Sequence, residues 1–190
     1  MKVIGFVGSP RRGGNTEIMV REALDSARKA GAETELVLVA DSRISPCDGC
    51  GACTEGDGCV IDDDMQKIYE KLQRADGIIF GTPVYFINVS AQAKAFIDRT
   101  LPFLHGGKLK GKVAAAIVVA RRVGAGQVLS LLYTWFAVQR MINAGGGIGY
   151  GRGIGEVREG PGGSPVLSAL EEARSVGRNV VGMLKKLSKS

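Results

Sequence analysis

The sequence predicts an α/β fold in which helices cover both faces of a five-stranded parallel sheet. Two observations predict it. Short apolar runs alternate along the chain with longer segments whose apolar residues recur at helical spacing. The apolar runs are continuous rather than alternating, which is typical of strands that are covered on both faces. Five strands alternating with five helices indicate a doubly wound sheet, and a length of 190 residues predicts a single domain over 1–190.

The first elements are read from apolar runs and from a glycine stop signal. KVIGFVG (2–8) predicts the first strand, and NTEIMVREALDSARKAG (15–31) predicts a helix that ends at a glycine. TELVLVA (34–40) predicts the second strand. After a cysteine-rich loop, DDMQKIYEKLQRA (63–75) predicts the next helix.

The middle of the chain repeats the same alternation. Asp63 and Gln66, at the start of the second helix, have the spacing of a capping box. GIIFGT (77–82) predicts the third strand, SAQAKAFIDRTLPFL (90–104) a helix and KVAAAIVVA (112–120) the fourth strand.

The last third contains two helices and a short strand. QVLSLLYTWFAVQRMINA (127–144) predicts a long apolar helix, and a short strand is expected within 146–153. The final helix (165–187) is expected to begin with Ser164 as its N-cap and Pro165 in its first position. The long helix is apolar nearly all round, which indicates a homo-oligomer (a dimer or tetramer) or, alternatively, a helix buried within one subunit.

The composition is that of an ordinary soluble globule, with 45% hydrophobic and 23% charged residues. The apolar run at the start is too short for a signal peptide or a membrane span, so we expect a cytoplasmic protein that does not interact with a membrane. Residues 1–105 carry 12 Lys and Arg against 15 Asp and Glu, whereas residues 106–190 carry 13 against 4. No nucleic-acid motif accompanies the basic half, so we expect no nucleic acid. The basic half could be a solvated face, a docking surface for an acidic electron-transfer partner such as ferredoxin, or a surface that pairs with the acidic half of a second subunit.

A polar loop, GSPRRGGNT (8–16), joins the first predicted strand to the first helix. Unpaired backbone N–H groups at a helix N-terminus form an anion site before any side chain contributes. The loop lacks the Lys-Ser/Thr ending of a triphosphate-binding loop, so a phosphomonoester fits better. The alternative is a turn that only caps the helix. The side chains that would add donors, with a glycine that permits close approach, are Ser9, Arg11, Gly14, Asn15 and Thr16.

A second loop, GTPVYFINVS (81–90), follows the third predicted strand. Pro83 stiffens it, and Val84, Tyr85 and Phe86 place apolar and aromatic surface where the sheet ends. A flat heteroaromatic ring could lie against this wall. Alternatively, the two aromatic residues belong to the core.

Both loops carry a family resemblance. SPRRGGNT, and TPVYFINVS followed by KAFIDR, resemble the NADPH-dependent FMN reductase family of flavodoxin-like proteins over roughly residues 1–104. The resemblance implies a flavodoxin-like sandwich that binds FMN. The phosphate would lie near Ser9, Arg11, Asn15 and Thr16, and the ring against Pro83, Val84, Tyr85 and Phe86. Members often present a glycine-rich loop to the flavin after the fourth strand, and here that place reads ARRVGAGQ (120–127).

All four cysteines lie in the loop between the second strand and the second helix, which we define as the cysteine loop (45–61). Their spacing is Cys-x2-Cys-x2-Cys-x5-Cys, and three thiolates at three-residue intervals can converge on one [4Fe–4S] cluster. A four-cysteine zinc site and unmetallated thiols remain open alternatives, whereas disulfides are disfavoured in a reducing compartment. The candidate ligands are Cys47, Cys50, Cys53 and Cys59.

The cysteine motif and the CVIDDDM that overlaps its end (59–65) resemble the iron–sulfur flavoprotein subgroup of the same family. Together, FMN and a cluster predict an electron-transfer oxidoreductase that passes electrons between ferredoxin or NAD(P)H and an acceptor, such as a quinone, an oxygen species or another flavin substrate. We expect no catalytic side chain, because the flavin and the cluster carry the chemistry. The alternatives are an NAD(P)H-dependent FMN or quinone reductase without a cluster, and a zinc-stabilised flavodoxin-like binding module.

Overall fold

The computed structural model describes residues 1–56, 58–158 and 168–189. Five parallel strands form one sheet, so the predicted fold is confirmed. The strands are β1 (Lys2–Val7), β2 (Glu33–Leu38), β3 (Gly77–Pro83), β4 (Val113–Ala120) and β5 (Ile142–Tyr150). The helices are α1 (Asn15–Lys29), α2 (Ala52–Glu55), α3 (Met65–Arg74), α4 (Ala91–Asp98), α5 (Leu101–His105), α6 (Ala125–Val138) and α7 (Ala169–Leu187).

The strand order β2-β1-β3-β4-β5 determines where a ligand can bind. The chain turns to one side of β1 to form β2 and to the other side to form β3, so the strand order reverses at β1. In open parallel sheets, ligands bind at the carboxyl ends of the strands next to such a reversal. The crevice beyond β1 and β3 is therefore the place that the topology leaves open.

Two buried apolar clusters cover the two faces of the sheet. One contains residues of α3, α4 and α6, and the other contains residues of α1 and α7. The α1–α7 contact is unusually close at Gly177, where a Cβ atom would lie 2.1 Å from the backbone oxygen of Ala23. This glycine therefore sets how closely α7 packs against α1.

Two of the predicted helices are wrong in their extent. The segment predicted as one helix over 90–104 is two helices, because the chain turns at Arg99 and Thr100 and Pro102 lacks the N–H that would continue α4. The helix predicted over 127–144 ends at Val138, and Arg140 takes a left-handed conformation with φ 58°. The residues after it form β5, which is longer than the short strand that we expected.

The final helix begins at Ala169, and its N-cap Ser168 accepts a hydrogen bond from the backbone N–H of Glu171. The predicted N-cap Ser164 and the predicted first residue Pro165 lie outside the described residues. Within the described parts of the chain, no helix is both long enough and apolar enough to span a membrane.

Candidate functional site

The loop between β1 and α1 forms an open turn at the carboxyl end of the sheet. Gly13 adopts a left-handed conformation with φ 65°, and Gly14 is the N-cap of α1. The Gly13 N–H donates to the Glu17 carboxylate over 2.6 Å, and the Arg11 N–H donates to the Ser9 hydroxyl over 3.2 Å. These bonds fix the loop so that the first N–H groups of α1 face the crevice side of the sheet.

A cavity of about 220 Å³ opens beside this loop and beyond β3 and β4. The structure brings eight of the nine residues that we predicted for FMN to its wall. These are Ser9, Arg11, Gly14, Asn15, Thr16, Pro83, Val84 and Tyr85. We call this cavity the flavin pocket.

Phe86 is the predicted residue that the structure does not bring to the flavin pocket. The Tyr85 and Asn88 backbones exchange two hydrogen bonds, of 2.8 and 2.9 Å, across a tight turn. Phe86 and Ile87 form the tip of this turn with φ 48° and 59°, in the left-handed region that non-glycine residues rarely adopt. The Phe86 side chain is fully exposed.

The four cysteines line a second cavity of about 100 Å³, which we call the cysteine pocket. Gly49 and Gly51 take left-handed conformations with φ 71° and 77°, which let the loop double back. Asp98, Arg99, Leu101 and Pro102, where α4 meets α5, complete the wall. Among the residues that the structure describes, no group of three or more His, Cys, Asp or Glu side chains is arranged to hold a metal ion.

A buried ion pair holds both ends of the cysteine loop. Arg99 contacts both carboxylate oxygens of Asp63, at 2.7 and 3.0 Å, and the side chains of the pair are 1% and 4% exposed. Arg99 also donates to the backbone oxygens of Ser45 and Ile61, over 2.9 and 3.3 Å. The loop is therefore fastened just before its first cysteine and just after its last.

The predicted capping box is not formed. Asp64 is the N-cap of α3 and makes no side-chain capping bond. The Asp63 carboxylate pairs instead with Arg99, because a buried guanidinium needs a counter-charge. It also accepts a hydrogen bond from the Met65 N–H over 3.0 Å. Gln66 donates instead to the backbone oxygens of Cys59 and Ile61, over 2.9 and 2.8 Å. Both residues therefore support the cysteine loop.

A family model for NADPH-dependent FMN reductases matches residues 1–152. The chain belongs to this family. An iron–sulfur flavoprotein of Methanocaldococcus jannaschii is 40% identical to this reductase family member over 199 aligned positions, covering all of both chains. An iron–sulfur flavoprotein of Methanosarcina thermophila is 43% identical over 76% of this chain and 78% of its own length. The predicted resemblance is thus confirmed, and the protein is a flavin-dependent oxidoreductase of the flavodoxin-like class.

This chain has the same fold as several proteins of known structure. It aligns over its whole length with 81% of RosB, with a TM-score of 0.79 at 18% identity. It also aligns with a WrbA-like flavodoxin from Agrobacterium tumefaciens, with a TM-score of 0.65 at 18% identity and 97% coverage of both chains. At such low identity these likenesses concern the fold alone.

The reductase's flavin pocket carries more positive charge than we predicted from its first loop. Arg11, Arg121 and Arg152 all line the pocket. Arg12 does not, and its guanidinium donates to Asp41 over 2.6 Å. Three guanidinium groups beside a helix N-terminus are well suited to a phosphate dianion.

Sequence reasoning missed the loop after β5. Gly151, Arg152 and Ile154 line the flavin pocket. Asn15 fastens this loop, because its amide donates to the Gly153 oxygen over 2.8 Å and accepts from the Gly155 N–H over 2.7 Å. The run GYGRGIG carries a signal that could have found the loop, since glycines and an arginine follow a strand at the ligand-binding edge of the sheet.

The pKa values of Cys53 in the cysteine pocket, and of Asp63 and Tyr69 beside Arg99, follow burial and hydrogen bonding. Burial opposes ionisation of Asp63, but hydrogen bonds from Arg99 and from two backbone N–H groups lower its pKa below the ordinary value. Burial raises the pKa of the Tyr69 phenol, whose hydroxyl donates to the Arg99 backbone oxygen over 2.5 Å. Burial, and charge repulsion from the other three thiols, raise the pKa of Cys53. A thiolate at Cys53 is therefore less favoured than at an exposed, isolated cysteine.

Proposed function

We propose that this protein is an electron-transfer oxidoreductase that uses FMN and a [4Fe–4S] cluster. It would pass electrons between ferredoxin or NAD(P)H and an acceptor such as a quinone, an oxygen species or another flavin substrate. The observation that carries the proposal is that all four cysteines line one pocket in a chain that also has a flavin pocket.

The two sides of the flavin pocket would bind different parts of FMN. The N–H groups at the start of α1, the hydroxyls of Ser9 and Thr16 and the guanidinium of Arg11 would bind the phosphate. Pro83, Val84 and Tyr85, with the backbone of the loop, would form the wall for the ring. FMN supplies two-electron and one-electron chemistry, and the protein orients it.

The cysteine pocket suits a cluster better than a single ion. Tetrahedral zinc needs four ligand atoms within about 2.3 Å of one point. The four thiols line part of a cavity of about 100 Å³, which leaves space for a group larger than one ion. Relatives at about 40% identity over most of the chain are named iron–sulfur flavoproteins. Cys47, Cys50, Cys53 and Cys59 would hold the cluster, which supplies one-electron transfer.

The second candidate function is an NAD(P)H-dependent FMN or quinone reductase without a cluster. The specific observation in its favour is that no described set of three or more ligating side chains is arranged to hold a metal ion. In that case the cysteines would remain free thiols, and the flavin pocket alone would account for activity.

Anaerobic purification and reconstitution separate these functions. We expect brown protein with about four irons and four acid-labile sulfides per chain, in addition to one FMN, and an electron paramagnetic resonance signal on reduction. A yellow protein with a plain flavin spectrum and no sulfide would leave the cluster-free reductase. A colourless zinc protein would contradict both and leave a binding module. Replacing all four cysteines by serine should remove iron and sulfide while leaving the FMN content unchanged.

We also propose that the protein is a homo-oligomer and that an acidic ferredoxin docks on its basic half, residues 106–190. Val128, Leu132 and Trp135 of α6 pack inward against the chain's own sheet, so only the remaining face of α6 could contact a second copy. Light scattering measures the oligomeric state. If ferredoxin docks through charge, its rate of reducing the protein should fall as salt rises, and a salt-independent rate would refute the docking.

A further inference from the structure

We infer that Arg99 donates its Nε–H to a sulfur atom of the group that the four cysteines bind. The inference rests on the proposed cluster and adds a determinant of its reduction potential that lies outside the ligand set. The residue comes from the junction of α4 and α5, not from the cysteine loop.

The guanidinium of Arg99 is fixed on one side. Its Nη1 and Nη2 atoms bond to Asp63 and to the backbone oxygens of Ser45 and Ile61, at distances between 2.7 and 3.3 Å. The side chain is 1% exposed. Because four bonds hold the planar group, the direction of its remaining Nε–H is also determined.

The Nε atom is the unexplained feature. It is buried, and it has no hydrogen-bond partner among the described residues. A buried donor without an acceptor is unfavourable, and native proteins seldom retain one without a ligand, ion or water to satisfy it. Arg99 lines the cysteine pocket together with all four cysteines. A sulfur atom in that pocket would be an acceptor for this donor.

The electrostatics around the pocket favour the same role. Arg99 is the one cationic residue among the described residues that line it, and Asp48 and Asp98 also form part of its wall. Asp63 neutralises the guanidinium, so the pair adds little net charge. What Arg99 offers a bound group is therefore a directed hydrogen bond. A donor to sulfur stabilises the reduced, more negative form of a cluster and raises its potential.

The test compares the reduction potential of the reconstituted wild type with that of an Arg99→Gln/Asp63→Asn double variant. The double variant avoids leaving a buried unpaired carboxylate, and it leaves the net charge near the pocket unchanged. We expect reduction of the cluster to become about tenfold less favourable, which lowers a one-electron potential by about 59 mV. Arg178→Gln/Glu171→Gln, which removes an ion pair on α7 at the other face of the sheet, is the matched control and should leave the potential unchanged.

If Arg99 has only a structural role, the double variant should lower the thermal stability of the cluster-free protein and leave the reduction potential of the cluster unchanged. An unchanged potential therefore overturns the inference. If the double variant does not retain a cluster, pulsed electron paramagnetic resonance on the reduced wild type, labelled with ¹⁵N-arginine, decides. A coupling between an arginine nitrogen and the cluster supports the inference, and its absence overturns it. If the wild type itself binds no iron and sulfide, the proposed function fails first and the role of Arg99 fails with it.

Discussion

Replacing Arg11 by Gln tests how the flavin pocket recognises the phosphate of FMN. Arg11 lines the pocket, whereas its neighbour Arg12 is occupied by Asp41 at 2.6 Å. A hydrogen bond to a charged group contributes about 1.5–3 kcal/mol. Because the Arg11 side chain is exposed, we expect the lower end, about 1.5 kcal/mol. That corresponds to a roughly tenfold weaker affinity for FMN.

The measurement is flavin fluorescence quenching on titration of the flavin-free protein with FMN and with riboflavin. Riboflavin lacks the phosphate, so the Arg11→Gln change should leave its affinity unchanged. Arg12→Gln is the matched control, with the same charge change one residue away, and should alter FMN affinity little. Equal losses in the two variants, or equal losses for FMN and riboflavin, would refute a specific phosphate contact by Arg11.

Two further predictions concern stability. Gly177→Ala should lower the free energy of unfolding by about 1–3 kcal/mol, because the added Cβ would lie 2.1 Å from the Ala23 oxygen and α7 must withdraw from α1. In urea unfolding, Gly182→Ala on the same helix, where a Cβ meets nothing within 4 Å, should instead be neutral or stabilising by up to about 1 kcal/mol. Hydrogen bonds from Lys71 and Lys2 lower the pKa of Glu35 below its ordinary value of 4.5. The loss of unfolding free energy caused by Glu35→Gln should therefore be largest above pH 4.5 and should decline as the pH falls through the lowered pKa. A difference that grows on acidification would contradict this assignment.

The strands and the loops that follow them could be predicted because their signals are local. A continuous apolar run such as 112–120 fits a strand covered on both faces, and polar loops after such strands meet at one edge of a parallel sheet. The cysteines could be predicted to share a site because all four lie within thirteen positions. Local spacing was enough in each of these cases.

The features that sequence reasoning missed depend on contacts between distant residues. Asp63 and Gln66 fit a capping box by spacing, and only the arrival of Arg99, 36 residues further on, gives Asp63 a different partner. The predicted end of α6 was wrong because Met141 and Ile142 continue an apolar helical pattern. The pairing of Ile142 with Val113 of β4, which begins β5, is a tertiary effect that this pattern does not reveal. The contribution of Arg152 to the flavin pocket likewise depends on where β5 lies in the sheet.

Helix α4 connects the two candidate cofactor sites. At its start, the N-cap Ser90 donates to the backbone oxygen of Gly8, next to Ser9 of the flavin pocket. At its end, Asp98 and the C-cap Arg99 line the cysteine pocket. Eight residues at 1.5 Å each make α4 about 12 Å long. Within one chain α4 therefore joins the loop of the flavin pocket to the wall of the cysteine pocket over about 12 Å.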